Sequence, residues 1–136
     1  LFQPLQSTDE EMGNMVETTI FAQWIQRSDA QVYYANWKNG RKQGEVDLVG
    51  LHVATQKPVW AVEIKWSNHY YEHPGDLRSL LDFLNNNDLQ DAVVTSISKS
   101  GNRQQGEVRL LFIPAAIYAY MVGQNTLEKK QQRLGL

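Results

Sequence analysis

Two acidic residues and a lysine stand inside apolar segments, where an ordinary core strand carries apolar side chains. Asp47 lies in the run of residues 44–50, and Glu63 and Lys65 lie in the run of residues 59–66. Burying a charge is costly unless the charge is paired or binds a metal. Carboxylate oxygens suit Mg2+ or Mn2+, and a neighbouring ammonium suits an anionic substrate or a water nucleophile. The three residues therefore indicate a divalent-metal site.

The alternation of side chains along a β-strand decides which residues of the second run share a face. Glu63 and Lys65 share one face with Val59 and Ala61. The opposite face is bulky and apolar, which predicts that it belongs to the core. Its residues are Trp60, Val62, Ile64 and Trp66.

The first run follows the same rule if it is a regular strand. Glu45, Asp47 and Val49 are then predicted on one side, and Val46 and Leu48 on the other. The acidic side of this run would face the second run's acid if the two strands pair.

The segment between the two runs favours a turn. Residues 55–58 read Thr-Gln-Lys-Pro, so a β-hairpin is the economical prediction, and it brings Asp47 towards Glu63. The alternative is an ordinary surface ion pair between Glu63 and Lys65 on an edge strand, with Asp47 exposed nearby. Short E-x-K strings are common, so spacing alone leaves both interpretations open.

A family resemblance favours the first interpretation. The sequence resembles the motif of the PD-(D/E)xK nuclease superfamily, because Asp47 is followed by a short connection and then by Glu63-Ile64-Lys65 in an apolar strand. A narrower resemblance is to the nuclease-like C-terminal domain of many prokaryotic AAA-type ATPases, a domain of unknown function. It rests on the two strings Gly44-Glu45-Val46-Asp47 and Val62-Glu63-Ile64-Lys65. The resemblance covers residues 12–122, and its specific part is the motif core.

The resemblance implies a fold, a reaction and a set of site residues. The fold would be α/β with a restriction-endonuclease-like core, in which helices flank a central mixed β-sheet. The reaction would be divalent-metal-dependent hydrolysis of DNA phosphodiesters. Asp47, Glu63 and the backbone carbonyl of Ile64 would bind Mg2+ or Mn2+, and Lys65 would orient the nucleophile or stabilise charge in the transition state. An acid on the first helix usually completes such a site.

Helical periodicity points to Glu17 as that acid. Apolar residues recur at three- and four-residue spacing within residues 12–27, which predicts an amphipathic helix. At about 100° per residue, Glu17 falls inside the apolar arc, between Trp24 and Phe21. Glu17 is therefore predicted to be catalytic together with Asp47 and Glu63 and to be a further metal ligand. The alternative is that Glu17 borders the stripe and points to solvent.

The remaining elements are predicted from periodicity, turn residues and caps. Asn39-Gly40 suits a hairpin turn, Asp76 suits a helix cap, and Gly123 suits a helix end. The predicted elements are a strand at 31–38, a loop at 67–75, a helix from Asp76 to the asparagines at 85–87, strands at 91–97 and 108–113 separated by a loop at 98–106, and a final helix at 114–123.

Composition fits one globular domain in a reducing compartment. The chain has 136 residues, of which 42% are hydrophobic and 21% charged, and it contains no cysteine. Residues 1–11 are predicted to be a linker or lead-in, residues 12–122 the nuclease-like domain and residues 123–136 a polar tail. No signal peptide or long apolar span is evident, so we expect a cytoplasmic protein without membrane contact. A chain that begins with Leu1 is expected to be a fragment.

The predicted partners are DNA, an ATPase domain of the same or a partner chain, and a second copy in a homodimer. The net charge of −2 does not exclude DNA, because a local basic patch can contact phosphates. The basic hairpin tip with Lys38, Arg41 and Lys42 is a candidate contact. Two histidines, His69 and His73, also invite a weaker zinc interpretation.

Two other functional classes stay open. The first is a catalytically silent module for interaction or dimerisation, with Trp37, Tyr70 and Tyr71 as apolar contact surface. The second is a nucleic-acid-binding domain without chemistry, whose binding would weaken steeply with salt and ignore divalent ions. A phosphate-binding G-x-x-x-x-G-K-[ST] loop is missing from the sequence, so the chain is not expected to hydrolyse ATP itself.

Overall fold

The computed structural model describes residues 9–26 and 31–135 as one mixed β-sheet with helices on both faces. The elements in chain order are α1 (Asp9–Ile25), β1 (Val32–Asn39), β2 (Lys42–Leu51), β3 (Pro58–Glu63), α2 (His69–Glu72), a 3-10 turn (Pro74–Asp76), α3 (Arg78–Asn86), β4 (Asp91–Ser96), β5 (Gly101–Gln105), β6 (Val108–Pro114) and α4 (Ala115–Arg133). The predicted α/β fold with a central mixed sheet is confirmed.

The strand order is β1-β2-β3-β4-β6-β5. Neighbours pair antiparallel except β3 with β4 and β4 with β6, which are parallel. The predicted hairpin between β2 and β3 is present, and Leu48 pairs with Val62. The hairpin between β1 and β2 is also present, with its turn after Asn39. Strand β3 pairs antiparallel with β2 and parallel with β4. Its two neighbours therefore run in opposite directions.

Two hydrophobic cores lie on the two faces of the sheet. One core packs α3 against the sheet, with Leu80 and Leu84 buried beside Val46 and Val49. The other core packs α1 and α4 against the opposite face, around Ile20 and Tyr118. The bulky face predicted for the second run belongs to this second core, because Val62 and Ile64 are buried in it and Trp60 and Trp66 pack against it.

Helix α4 continues well past Gly123, so the predicted helix end at this glycine is wrong. The helix runs to Arg133, and the predicted polar tail is largely its last turns. Gly123 meets a different requirement. A Cβ at this position would lie 2.8 Å from Oε1 of Gln23, so the glycine leaves room for the side chain of α1.

Four smaller predictions also need correction. The segment predicted as a loop at 98–106 contains the edge strand β5, and the loop at 67–75 contains the single turn α2. Asp76 does not cap a helix, because α3 begins at Arg78 without a side-chain cap, and Asp76 binds His69 instead. Helix α1 begins at Asp9, three residues before its predicted start. The rest of the predicted lead-in, residues 1–8, lies outside the described residues.

Candidate metal centre

Asp47 lies at a β-bulge. Tyr34 of β1 is opposed by two residues of β2, Asp47 and Leu48, where a regular ladder would place one. The pairs on either side of the bulge are Tyr33 with Val49 and Ala35 with Val46. A bulge bends its strand locally and redirects side chains, which is why bulges are frequent next to functional sites.

The bulge changes which residues of β2 share a face, so the predicted alternation is wrong. Val46 and Val49 lie in the same core beneath α3, although regular alternation would place them on opposite faces. Leu48 lies in the other core, beside α1. The extra residue therefore shifts the alternation of side chains along β2 by one position at Asp47.

Side chains hold the backbone just beyond the end of β3. The Ile64 N–H donates to Oδ2 of Asp47 over 2.8 Å. The Lys65 N–H donates to Oγ1 of Thr95 over 2.7 Å, and the Thr95 hydroxyl donates to the Lys65 carbonyl over 2.8 Å. Asp47 from β2 and Thr95 from β4 thus fix the segment that carries Glu63 and Lys65. The predicted backbone ligand, Ile64, is bonded directly to one of the predicted acids.

Asp47 and Glu63 form a carboxylate pair in which Glu63 is buried and Asp47 is half-buried. Glu63 is only 7% exposed. Its Oε1 lies 3.1 Å from Nζ of Lys65. Its Oε2 is buried and receives no hydrogen bond from any residue in the described ranges. A buried acceptor without a donor is costly, so this oxygen marks an incomplete site.

Burial controls the ionisation of the pair. Burial and the negative charge of Asp47 raise the pKa of Glu63 to about 8, although Lys65 opposes the change. Burial also raises the pKa of Asp47, although the Ile64 N–H and Lys65 partly offset it. At neutral pH the pair therefore tends to retain one shared proton.

Lys65 remains an ammonium in this environment. Burial lowers the pKa of Lys65, but the attraction of Glu63 and Asp47 more than offsets it, and the pKa lies above its ordinary value. The amine is therefore charged at neutral pH and is not available as a base. Its Nζ also lies 5.5 Å from the centre of the Tyr70 ring, which is within cation–π range.

Glu17 belongs to the same charged region. Its side chain is half-buried on α1. Burial and the charge of Asp47 raise the pKa of Glu17, while Lys65 lowers it. The structure therefore places Glu17 within electrostatic range of Asp47 and Lys65, and both of these residues interact with Glu63. Within residues 9–26 and 31–135, however, no group of three or more His, Cys, Asp or Glu side chains has the spacing of a metal site.

Three contributing residues were not identified from the sequence. Thr95 holds the Lys65 backbone, as described above. A hydrogen bond from the Tyr34 hydroxyl to Glu45, together with burial, raises the pKa of Tyr34 to about 12. Glu45 was predicted on the acidic side of the first run but was not assigned a role in the site. The Tyr34 contact depends on the bulge opposite it, and a bulge leaves no clear signal in one sequence.

A cavity of about 420 Å³ opens beside this centre. Glu63, Lys65 and Tyr70 line one part of it, and Glu45 lines another. The first turn of α3, formed by residues 78–80, completes the wall. The cavity therefore brings a small ligand next to Glu63 and Lys65.

Two other predicted features lie apart from this centre. The basic hairpin tip is exposed at Lys38, Arg41 and Lys42, and none of these lines the cavity. Nε2 of His69 lies 2.7 Å from Oδ2 of Asp76, and His69 stacks on His73. The zinc interpretation gains no third ligand from the part of the chain that the structure describes.

The fold and the centre together define an α/β domain with a buried acidic site at the end of a central strand. The chain belongs to the family described as Domain of unknown function (DUF4143), whose model matches residues 12–118. Domains of this family are often found C-terminal to AAA ATPases. No curated protein is significantly similar to the chain. Among the described residues, no helix is both long and apolar enough to cross a membrane.

Proposed function

We propose that this domain hydrolyses phosphodiester bonds of DNA, with Mg2+ or Mn2+ bound by Asp47, Glu63 and the backbone carbonyl of Ile64. One observation carries the proposal: Glu63 lines a cavity, and its buried Oε2 has no donor among the described residues. A divalent cation satisfies such an oxygen and neutralises both carboxylates. The resemblance to the PD-(D/E)xK superfamily and to a restriction-endonuclease-like core supports the same assignment.

The donor set suits a hard cation. Asp47 and Glu63 supply carboxylate oxygens, and Ile64 supplies a carbonyl oxygen, which are the ligand types that Mg2+ prefers. Mg2+ retains several waters and is often completed by substrate phosphates, so two carboxylates are enough protein charge. The shared proton of the pair would leave when the cation binds.

The roles of the side chains follow from their charge states. A bound divalent ion lowers the pKa of water and polarises a phosphoryl oxygen. The Lys65 ammonium, held by Glu63, stabilises negative charge that grows on the phosphate. Glu17, whose pKa is raised, can accept a proton from water closer to neutrality than an exposed glutamate. In the same proposal the domain acts in the cytoplasm beside an ATPase domain of its own or a partner chain, and can form a homodimer.

A second candidate function is a silent interaction module for an ATPase. It is favoured by an exposed apolar surface on α4, where Ile117, Tyr120 and Met121 are 51%, 69% and 46% exposed. Exposed apolar patches of this kind often mark protein contacts. This surface lies on the helix and not at the carboxylate pair, so the two functions predict different sensitive residues.

Cleavage assays separate the two functions. Supercoiled, linear and branched DNA are incubated with the wild-type protein and Mg2+ or Mn2+, with excess chelator as the blank. We expect divalent-dependent cleavage that Asp47→Asn abolishes and that the exposed control Asp82→Asn retains. If the wild type cuts none of these substrates, even when joined to its ATPase, the interaction module replaces the nuclease.

A further inference from the structure

The N-terminus of α3 opens into the same cavity as Glu63. The helix begins at Arg78 without a side-chain cap. The N–H groups of Arg78, Ser79 and Leu80 have no acceptor among the described residues. All three residues line the cavity. Free N–H groups and the helix dipole place partial positive charge at this end of a helix.

A second observation shows that this end of the helix faces an unfinished ligand site. The Glu63 side chain is 9% exposed, and its Oε2 has no donor within the described ranges. Glu63 lines the cavity together with residues 78–80. The cavity therefore contains an acceptor without a donor and donors without an acceptor. A cation at the acceptor and an anion at the donors would satisfy both groups.

The side-chain charges of the cavity make the two ligands interdependent. Lys65 and Arg78 are positive, whereas Glu45 and Asp76 are negative. Lys65 is already paired with Glu63, and Asp76 is bonded to His69. The cavity by itself is therefore not a strongly positive pocket. A divalent ion that replaces the shared proton of the carboxylate pair adds net positive charge, so anion binding should depend on that ion.

We propose that the first turn of α3 is a phosphate-binding subsite that takes one nucleotide unit of an unpaired strand. The phosphate would bind the free N–H groups of residues 78–80 and the Arg78 guanidinium, on the same side as the ion. The cavity of about 420 Å³ falls in the size range of small-molecule sites, not of a surface that binds a double helix. Tyr70 in its wall offers a ring to the base or sugar. The subsite rests on the proposed function only through the divalent ion.

A matched pair of ligands and a matched pair of variants test the subsite. Thymidine 5′-monophosphate and thymidine differ only in the phosphate, and calorimetry with excess Mg2+ compares their binding to the purified chain. Ser79→Asp places a carboxylate where the phosphate is proposed to bind, and a carboxylate in the first turn favours helix formation, so folding is preserved. Ser79→Asn has nearly the same shape without the charge.

We expect the nucleotide to bind the wild type and Ser79→Asn at least about tenfold more tightly than thymidine does. In Ser79→Asp this preference for the phosphate should disappear, while Mg2+ binding persists. Arg78→Gln should weaken nucleotide binding without affecting thymidine, and it provides a second route if Ser79→Asp unfolds in a thermal melt. Equal nucleotide affinity in Ser79→Asp and Ser79→Asn, or equal affinity for the two ligands in the wild type, would overturn the subsite.

The subsite and the nuclease can fail separately. If the nucleotide preference follows residue 79 but the wild type cuts no DNA, the phosphate subsite stands and the proposed hydrolysis falls. If the wild type cuts DNA but residue 79 has no effect on nucleotide binding, the hydrolysis stands and the subsite is wrong.

Discussion

Two groups of charged residues lie close together in this protein and differ in burial. The buried group comprises Asp47, Glu63 and Lys65. The surface group comprises His69, Glu72, Asp76, Lys99 and Arg103. Both contain carboxylates next to cations, so residue types alone would not distinguish a site from a set of surface ion pairs.

The direction of the pKa changes distinguishes the two groups. In the surface group, the hydrogen bond from His69 lowers the pKa of Asp76, as expected for an exposed carboxylate that has a donor. In the buried group, burial raises the pKa of Glu63 although Lys65 lies 3.1 Å away. The cation there does not compensate for the lost water. A carboxylate whose pKa stays raised although a cation lies beside it is therefore the better indicator of a ligand site.

Removing a cation from each group gives the largest expected contrast. Lys65→Ala should lower divalent-dependent DNA cleavage by about 100- to 1,000-fold, because a charge that stabilises the transition state is lost. Mg2+ affinity should persist, since Lys65 is not a metal ligand. Lys99→Ala in the surface group is the matched control and should cut at nearly the wild-type rate. Equal cleavage rates for Lys65→Ala and Lys99→Ala would show that Lys65 has no catalytic role.

The raised pKa of Glu63 predicts an unusual dependence of stability on pH. The folded pKa of about 8 exceeds the ordinary value of 4.5, so the folded protein binds the extra proton between these limits. The stabilisation is present at acidic pH and is lost as the pH rises towards 8. In chelator, the free energy of unfolding should fall over this range by on the order of a few kcal/mol.

Glu63→Gln isolates this effect. The amide cannot ionise, so the variant should lose most of the pH slope and be more stable than the wild type at pH 8. Denaturant unfolding at several pH values measures it. Asp82→Asn, on the exposed side of α3, should leave the slope unchanged. A wild-type stability that rises towards pH 8 would contradict the assigned pKa.

The two hydrogen bonds between Thr95 and the Lys65 backbone should stabilise the fold more than an exposed threonine bond does. Thr95→Val keeps the side-chain shape but removes both bonds to Lys65, so it should lower the free energy of unfolding by about 1–3 kcal/mol. Thr19 also bonds a backbone carbonyl, that of Met15, but it is exposed. Thr19→Val should cost less than about 0.5 kcal/mol. Similar losses of unfolding free energy in the two variants would mean that burial does not strengthen the hydrogen bonds of Thr95.

Mg2+ binding should compete with the shared proton. Because the cation displaces this proton, affinity should rise by up to about tenfold per pH unit below the Glu63 pKa and level off above it. Calorimetry between pH 6 and 9 measures the trend, and Asp47→Ala should abolish binding. If Asp47→Ala binds Mg2+ as tightly as the wild type, the ion does not occupy the carboxylate pair.

The smallest effect is expected at Glu72 of the surface group. Its carboxylate lies 3.7 Å from Arg103 and 4.0 Å from Lys99, and its side chain is 57% exposed. Exposed pairs of this kind contribute little, so Glu72→Gln should change the free energy of unfolding by less than about 1 kcal/mol and leave cleavage intact. A large loss of either property would remove the proposed difference between the two groups.

The sequence predicted the parts of this molecule that have strong periodicity. The hairpin from β2 to β3 and the buried face with Val62 and Ile64 follow from alternation of apolar residues, and both are present. Helical spacing also placed Glu17 on the core side of the first helix, and its side chain is half-buried on α1. These features are local in sequence or repeat with a fixed period, so one chain is enough to detect them.

The remaining features depend on contacts that have no local signal. The edge strand β5 reads Gly-Asn-Arg-Gln-Gln and lacks apolar alternation, because it lies at the sheet edge and is mostly solvated. Gly123 looked like a helix end, but its role depends on Gln23 of a distant helix. The bulge at Asp47 depends on pairing with Tyr34, which alternation within β2 cannot show.

The two side-chain bonds beyond β3 also make a pair of adjacent amides into spectroscopic reporters. The Ile64 amide is bonded to Asp47, and the Lys65 amide is bonded to Thr95. In an amide NMR spectrum, the Ile64 resonance should therefore follow the charge on Asp47, whereas the Lys65 resonance should follow the contact with β4. Proton loss or ion capture would move the first signal more than the second, so the state of the centre can be followed without any substrate.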